Sequence, residues 1–107
     1  MFDRELVKGS TSLILLHLLA EKDMYGYELV KEMEKRSDYT MQIKEGTLYP
    51  ALHKLEKQKY MESFWKESEK GPARKYYRIT EAGVQILEQK ITEWKNFVQT
   101  IDKVIGR

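Results

Sequence analysis

The residues that could carry chemistry lie together in the segment 45–57, which reads EGTLYPALHKLEK. If this segment is a helix with about 100° per residue, one face carries hydroxyl groups, cations and an imidazole, with no acid among them. Such a face suits the phosphates and base edges of DNA. The alternative is an ordinary solvated helix face, because mixed polar faces are common on surface helices. The residues of this face are Gly46, Thr47, Tyr49, Pro50, His53, Lys54 and Lys57.

Catalysis needs other constellations of residues, and the sequence lacks them. The chain has no cysteine, which excludes disulfides, thiolate metal sites and thiol nucleophiles. His17 and His53 are the only histidines, and neither has a plausible catalytic or metal-binding partner nearby in sequence. We therefore predict no catalytic residue, no metal and no cofactor, and we interpret His17 as a packed or interface residue.

The opposite face of the segment 45–57 is apolar and needs a core to cover it. Its residues recur at the i, i+3, i+4, i+7 spacing of a half-buried helix. Pro50 limits where the helix begins, because proline is tolerated in the first turn, so we place that turn near residues 46–49. Free backbone N–H groups at such an end attract phosphate. The apolar residues are Leu48, Ala51, Leu52 and Leu55.

The neighbouring segments complete a winged helix. Residues 24–35 have helical periodicity, with Tyr25, Leu29, Val30 and Met33 inward and Gly26 indicating a close helix contact, and residues 37–44 make a turn. After Lys59 the period changes to two, which predicts strands over 60–66 and 74–79 joined by a turn centred on Gly71–Pro72. A helix-turn-helix followed by a basic hairpin is a winged helix, and the hairpin is its wing.

The N-terminal part predicts an apolar helix over residues 13–20, capped by Ser10, Thr11 or Ser12. Because this run is apolar on nearly every side, we expect a second molecule to cover part of it. The run is much shorter than the roughly 18 residues of a membrane span, and it lacks the flanks of a signal peptide. We therefore expect no membrane contact and a cytoplasmic location.

The last segment predicts a long helix that starts with Thr80 as N-cap and Glu81 near the positive end of the helix dipole. Its apolar residues recur in steps of three and four, which is a heptad seam. A helix of about 26 residues is roughly 39 Å long and exceeds the width of the preceding domain. We predict a homodimer, although the helix folding back on its own domain is the alternative. The predicted interface is Leu15, Leu19, Val84, Leu87, Ile91, Trp94, Val98, Ile101 and Ile105.

The distribution of charge supports a nucleic-acid partner. The chain has a net charge of +2, but residues 44–80 carry nine basic and five acidic side chains, whereas residues 1–43 carry six and eight. A local positive excess is expected of a segment that meets polyphosphate. We predict double-stranded DNA as the partner, bound by Lys44, Gly46, Thr47, Tyr49, Pro50, His53, Lys54, Lys57, Arg74 and Lys75.

The predicted fold class is therefore mainly α with a small β-hairpin: a winged helix-turn-helix domain over residues 1–79, followed by a C-terminal dimerisation helix over residues 80–107. The strongest alternative function is a winged-helix module that binds an acidic protein and no specific DNA. Steep salt dependence and protection of a two-fold symmetric site would distinguish DNA readout from that alternative.

Several strings resemble the PadR-type winged-helix transcriptional repressors: YGYELVKEM at 25–33, EGTLYPALHKLEK at 45–57, SFW at 63–65 and GPARKYYRITEAG at 71–83. The resemblance covers nearly the whole chain, and it implies a homodimeric repressor of a nearby operon that an effector or stress releases. Two positions depart from the pattern of the family. Lys59 stands where a glycine usually ends the recognition helix, and Ala73 stands in a wing that commonly reads Gly-Arg-Pro-Arg.

The short final segment resembles the compact subgroup that includes a multidrug-sensing repressor with a tryptophan in the matching stretch. This resemblance implies a small aromatic effector at Trp94, with Phe97, Leu15 and Leu19 as further walls. The alternative is that Trp94 only fills the dimer core, as large seam residues usually do.

Overall fold

The computed structural model describes residues 2–107 and contains four helices and one three-stranded antiparallel sheet. The elements are α1 (Arg4–Glu21), β1 (Met24–Tyr25), α2 (Gly26–Arg36), α3 (Glu45–Lys57), β2 (Met61–Ser68), β3 (Gly71–Ile79) and α4 (Glu81–Ile105). The predicted class, mainly α with a winged helix-turn-helix and a long last helix, is confirmed. The helix α3 has the predicted bounds, and the Thr80 hydroxyl caps α4 by accepting from the Gly83 N–H at 3.1 Å.

The first helix begins earlier than its sequence pattern suggests. It starts at Arg4, with Asp3 as N-cap accepting from the Glu5 N–H at 2.7 Å. The prediction of a cap at Ser10, Thr11 or Ser12 is therefore wrong. The Thr11 hydroxyl donates to the Val7 carbonyl at 2.6 Å inside the helix. A hydroxyl can cap a helix or bond back to the carbonyl four residues earlier, so its presence alone does not locate a helix start.

The sheet has a strand that the sequence pattern does not reveal. Met24 and Tyr25, predicted as helix, form β1 and pair with Tyr77 and Tyr76 of β3, which lies between β1 and β2. A strand of two residues is too short to show a period. The wing also differs, because Gly71 already belongs to β3 and pairs with Ser68, so the turn lies at residues 69–70.

The core lies between α1, α2, α3, the inner face of the sheet and the first turns of α4. The predicted inner face of α3 is confirmed for its three leucines, which are each 1% exposed, and Ala51 is half-buried against them. Gly83 brings α4 close, since a Cβ atom there would lie 2.0 Å from the Tyr60 carbonyl oxygen. Beyond Ile91 the helix leaves the core, which gives the molecule its 54 Å length.

The positions of Leu15 and Leu19 correct the predicted dimer interface and effector walls. Their exposed fractions are 0% and 2%, because the single chain already covers them with its own core. They have no surface left to offer to a second copy or to a ligand. Among residues 2–107, no helix combines the length and apolar character of a membrane span.

Candidate nucleic-acid interface

The helix α3 presents its polar face to solvent because its leucines hold the other face in the core. Lys44, Gly46, Pro50, His53, Lys54 and Lys57 are exposed, and Thr47 is half-buried. Within residues 2–107, Lys44, Lys54 and Lys57 form no ion pair with an acidic side chain. The face therefore keeps an uncompensated positive charge, which is available to an anionic partner.

The N-terminal end of α3 is open to a ligand. The Lys44 carbonyl accepts from the N–H groups of Thr47 and Leu48, both at 2.9 Å. The N–H groups of Glu45 and Gly46 have no partner within the helix, since helix geometry leaves the first donors unpaired. The first turn of α3 lies at residues 45–48, within one residue of its predicted place, and Pro50 lies in the second turn. Its missing N–H leaves the Gly46 carbonyl without its helical donor.

Tyr49 is only partly directed to solvent, with an exposed fraction of 46%. Its hydroxyl oxygen lies 2.7 Å from the position that a Cβ atom on Gly26 would occupy. The predicted close contact at Gly26 is thus confirmed, and it joins α2 to α3. Burial raises the pKa of the nearby Tyr77 hydroxyl, and the charges of Glu56 and Tyr49 act in the same direction. Ser63, which pairs with Tyr77 across the strands, donates a hydrogen bond to Glu56 of α3, so Tyr77 lies on the side of the sheet that faces α3.

The two predicted wing cations, Arg74 and Lys75, lie on opposite faces of the sheet. Lys75 shares the face of Tyr77, with its Nζ atom 5.8 Å from the centre of that ring, and therefore lies on the α3 side. The Arg74 guanidinium stacks at 4.6 Å over the ring of Tyr25 and donates to its hydroxyl at 3.0 Å. Consecutive residues of a strand point to opposite faces, so these two neighbouring cations lie on two different surfaces of the wing.

Sequence reasoning missed Trp65 as a surface residue of the wing. It is 69% exposed and pairs across the strands with Lys75. The alternation of β2 could have revealed this exposure. Trp65 shares a face with the buried Met61, but it lies four residues nearer the tip of the wing, beyond the core. An aromatic ring beside a cation is a suitable surface for a sugar-phosphate backbone.

A second candidate site surrounds Trp94, which is 45% exposed on α4. A hollow of about 370 Å³ on one side is lined by Trp94 and by Leu13, Ile14, His17, Leu18, Met33, Arg36, Ser37, Met41 and Ile91. A second hollow, which also borders Trp94, is about 550 Å³ in volume, and Leu6, Lys90 and Phe97 contribute to its walls. Leu15 contributes to neither wall. A largely apolar hollow of this size suits a small organic molecule.

His17 lies at the rim of the smaller hollow and is not packed, because 54% of its side chain is exposed. Of the two predicted alternatives for His17, a packed or an interface residue, its exposure excludes packing within the single chain, and the interface stays a prediction. Its Nε2 atom lies 3.4 Å from the carboxylate of Glu21, which also accepts two hydrogen bonds from Arg36. The bond from Arg36 lowers the pKa of the Glu21 carboxyl. Within residues 2–107, no three metal-ligating side chains cluster.

The chain is similar to known transcriptional regulators over most of its length. Residues 15–89 match the Transcriptional regulator PadR-like family. A Mycobacterium tuberculosis protein named Transcriptional regulator Rv3488 is 34% identical over 80 residues, which are 75% of this chain and 71% of that protein. An uncharacterized protein of Lysinibacillus sphaericus is 38% identical over 95% of this chain and 94% of its own.

Solved structures agree with the sequence comparison. A transcriptional regulator from Clostridium thermocellum superposes with a TM-score of 0.87 at 38% identity, covering 96% of this chain and 97% of that one. A PadR family regulator from Eggerthella lenta gives a TM-score of 0.81 at 33% identity, covering 94% of this chain and 86% of that one. These similarities, together with the exposed basic face of α3, show that this chain belongs to the PadR-like family of DNA-binding transcriptional regulators, which are not enzymes.

Proposed function

We propose that the protein is a repressor that binds a pseudo-palindromic operator as a homodimer and is released by a small aromatic effector. The observation that carries this proposal is the pair of faces on α3. Its leucines are completely buried, whereas the three lysines on and beside it are exposed and have no ion-pair partner within residues 2–107. A rigid helix with such an outer face fits a major groove.

The residues of this polar face and of the wing divide into two roles. Thr47, Pro50, His53 and Lys54 approach the base edges, while Lys44, Lys57 and Lys75 hold phosphates and the N-terminal end of α3 at Gly46 approaches a further phosphate. Arg74 is removed from the phosphate contacts, because its guanidinium is engaged with Tyr25 on the opposite face of the sheet. Trp65, which pairs with Lys75 across the strands of the wing, contacts the DNA backbone beside it.

The division is tested with Lys75→Ala and its matched control Arg74→Ala. Lys75→Ala should weaken binding to all duplexes alike and reduce the slope of log affinity against log salt by about 0.9, the value for one phosphate contact. Arg74→Ala should leave that slope unchanged. Fluorescence anisotropy over a salt series, on duplexes that the wild type selects from a random library, measures both. An equal loss of slope in the two variants would contradict the assignment.

Base readout is tested separately with His53→Ala and Thr47→Ala. Each change should cost about 1–3 kcal/mol on the selected duplex and much less on a random one, because only the former offers the matching base edge. The measured quantity is the ratio of the two affinities. An interaction module for an acidic protein would instead bind every duplex weakly and with similar affinity.

The proposed dimer rests on the apolar residues that α4 leaves in solvent. Val84, Trp94, Val98, Ile101 and Ile105 are between 39% and 60% exposed, and they follow one seam. Leu87 belongs to the core of the single chain at 5% exposure, and the half-buried Ile91 lies at the boundary. Pairing of two such seams would remove the exposed apolar surface from water and space two α3 helices for adjacent half-sites.

The proposed effector site uses the hollows beside Trp94, with Phe97 as a further wall. A planar aromatic compound stacked on the indole should change its emission in a Trp65→Phe background, where Trp94 is the only tryptophan. The same compound should release the selected duplex. A panel of planar compounds that changes neither emission nor DNA binding would leave Trp94 as a packing residue.

A further inference from the structure

Tyr49 of α3 lies against Gly26, the first residue of α2. The phenol ring of Tyr49 occupies the space that a side chain at position 26 would need, with the hydroxyl oxygen at 2.7 Å and Cζ at 3.3 Å from the ideal Cβ position. Gly26 is buried and directly follows Tyr25, whose strand pairs with Tyr76 of the wing sheet. The contact therefore joins α3 to the point where the wing sheet meets α2.

A second contact joins the other end of α3 to the same sheet. The Glu56 carboxylate, in the last turn of α3, accepts a hydrogen bond from the Ser63 hydroxyl of β2. These two contacts lie seven residues apart on α3 and, together with its buried leucines, hold the tilt of the helix relative to the sheet. The tilt in turn sets the separation between the α3 lysines and Lys75 on the wing.

We propose that Gly26 and Tyr49 act as a spacer that sets the angle between α3 and the wing, so that position 26 must lack a side chain for tight DNA binding as long as the Tyr49 hydroxyl lies opposite it. This inference rests on the proposed DNA-binding function. Tyr49 is then a positioning residue, and its hydroxyl is not used to read bases.

The type of atom that opposes the glycine decides whether a substitution shifts a helix or prevents folding. At Gly83 an added Cβ atom meets the backbone carbonyl of Tyr60 at 2.0 Å, which no side-chain movement can relieve. At Gly26 the opposing atom is the far end of the Tyr49 side chain. The chain can therefore accommodate Gly26→Ala by displacing Tyr49 and tilting α3, while alanine's better helix propensity offsets part of the strain.

The test is a double-mutant cycle of Gly26→Ala and Tyr49→Phe. Affinity for the duplex selected by the wild type is measured well below the lowest melting temperature of the set. We expect Gly26→Ala to weaken binding about tenfold, equivalent to about 1.4 kcal/mol. Tyr49→Phe alone should remain within about twofold of the wild type, and adding it to Gly26→Ala should restore most of the loss, because the hydroxyl no longer opposes the methyl group.

Tyr27→Phe is the matched control, since it removes a hydroxyl from a neighbouring tyrosine whose side chain is 61% exposed. Combined with Gly26→Ala, it should restore nothing. A Tyr49→Phe variant that alone loses about tenfold in affinity would make Tyr49 a direct DNA contact and would overturn the proposal, as would a Gly26→Ala variant that binds like the wild type.

Two further outcomes separate the spacer from the proposed function. If Gly26→Ala does not fold, the double variant decides: folding and binding like Tyr49→Phe supports the spacer, whereas a double variant that is also unfolded contradicts it. If the wild type selects no duplex at low salt, the DNA-binding proposal fails and the spacer fails with it. A wild type that binds, with no coupling in the cycle, overturns the spacer alone.

Discussion

The helices α3 and α4 both have one apolar and one polar face, but the fold treats them differently. All three leucines of α3 are 1% exposed, so the single chain covers its apolar face completely and leaves the polar face as the available surface. On α4 only the first turns are covered, and Val98 and Ile101 remain 39% and 42% exposed.

The difference indicates what each helix is available to bind. A covered apolar face makes α3 a rigid support for polar groups, which suits recognition of a charged polymer. An uncovered apolar stripe on α4 is a surface whose burial releases free energy, which suits association with another apolar surface. The heptad spacing of that stripe favours a second copy of the same helix.

The largest effect is expected from substitutions that remove apolar side chains from the α4 seam. Val98→Ser with Ile101→Ser removes four apolar side chains from a two-fold interface, because each site occurs twice. We expect the dissociation constant to rise at least about 100-fold, since a fully buried side chain of this kind contributes about 1.5–3 kcal/mol and these are partly buried. Sedimentation velocity at micromolar concentration measures the change from dimer to monomer.

The control for the seam is Asn96→Ser with Lys103→Ser on the polar face of α4, which should leave the dimer intact. Leu87→Ser is not suitable, because at 5% exposure its loss would damage the core of the single chain as well. A wild type that sediments as a monomer would contradict the seam.

Substitutions on the buried face of α3 should lower the stability of the fold. Leu52→Ala should lower the free energy of unfolding by about 2–5 kcal/mol, because it leaves a cavity in the core. Lys54→Ala on the outer face of the same helix should change that free energy by less than about 0.5 kcal/mol. Urea unfolding at one fixed protein concentration compares them, since the proposed dimerisation would make stability depend on concentration. Equal effects would mean that α3 does not have two distinct faces.

A substitution at the C-terminal end of α3 should have the smallest effect on stability, and it should stabilise the protein instead of destabilising it. Lys59 has φ +66°, and a pair of 3.0 Å hydrogen bonds, from its N–H to the Glu56 carbonyl and from Tyr60 N–H to the Leu55 carbonyl, closes the helix. This arrangement normally uses glycine. Lys59→Gly should therefore stabilise the protein by about 0.5–1 kcal/mol, the left-handed strain being larger than the entropy cost of glycine.

Gln58→Gly is the matched control at the same helix end. Its φ of −77° is comfortable for any residue, so glycine there should destabilise the fold. Thermal unfolding of both variants at one protein concentration shows the two signs. A destabilised Lys59→Gly would mean that the lysine side chain contributes more than its backbone conformation costs.

The sequence by itself determined the features that depend on local spacing. The bounds of α3, its two faces, the cap at Thr80 and the heptad seam all follow from residues within a few turns of one another. The period of an isolated helix or strand already states which residues share a face. The family motifs are equally local, since each is a contiguous string.

Only the tertiary structure decided the features that depend on which element packs on which. The heptad and apolar patterns could not show that Leu15, Leu19 and Leu87 are covered by their own chain, because an apolar residue looks the same whether its neighbour is internal or a second copy. Strand alternation places Arg74 and Lys75 on opposite faces of the sheet, but it does not show which of them faces α3. The contact between Tyr49 and Gly26 joins residues 23 positions apart. No local period links them, and only the folded chain brings them together.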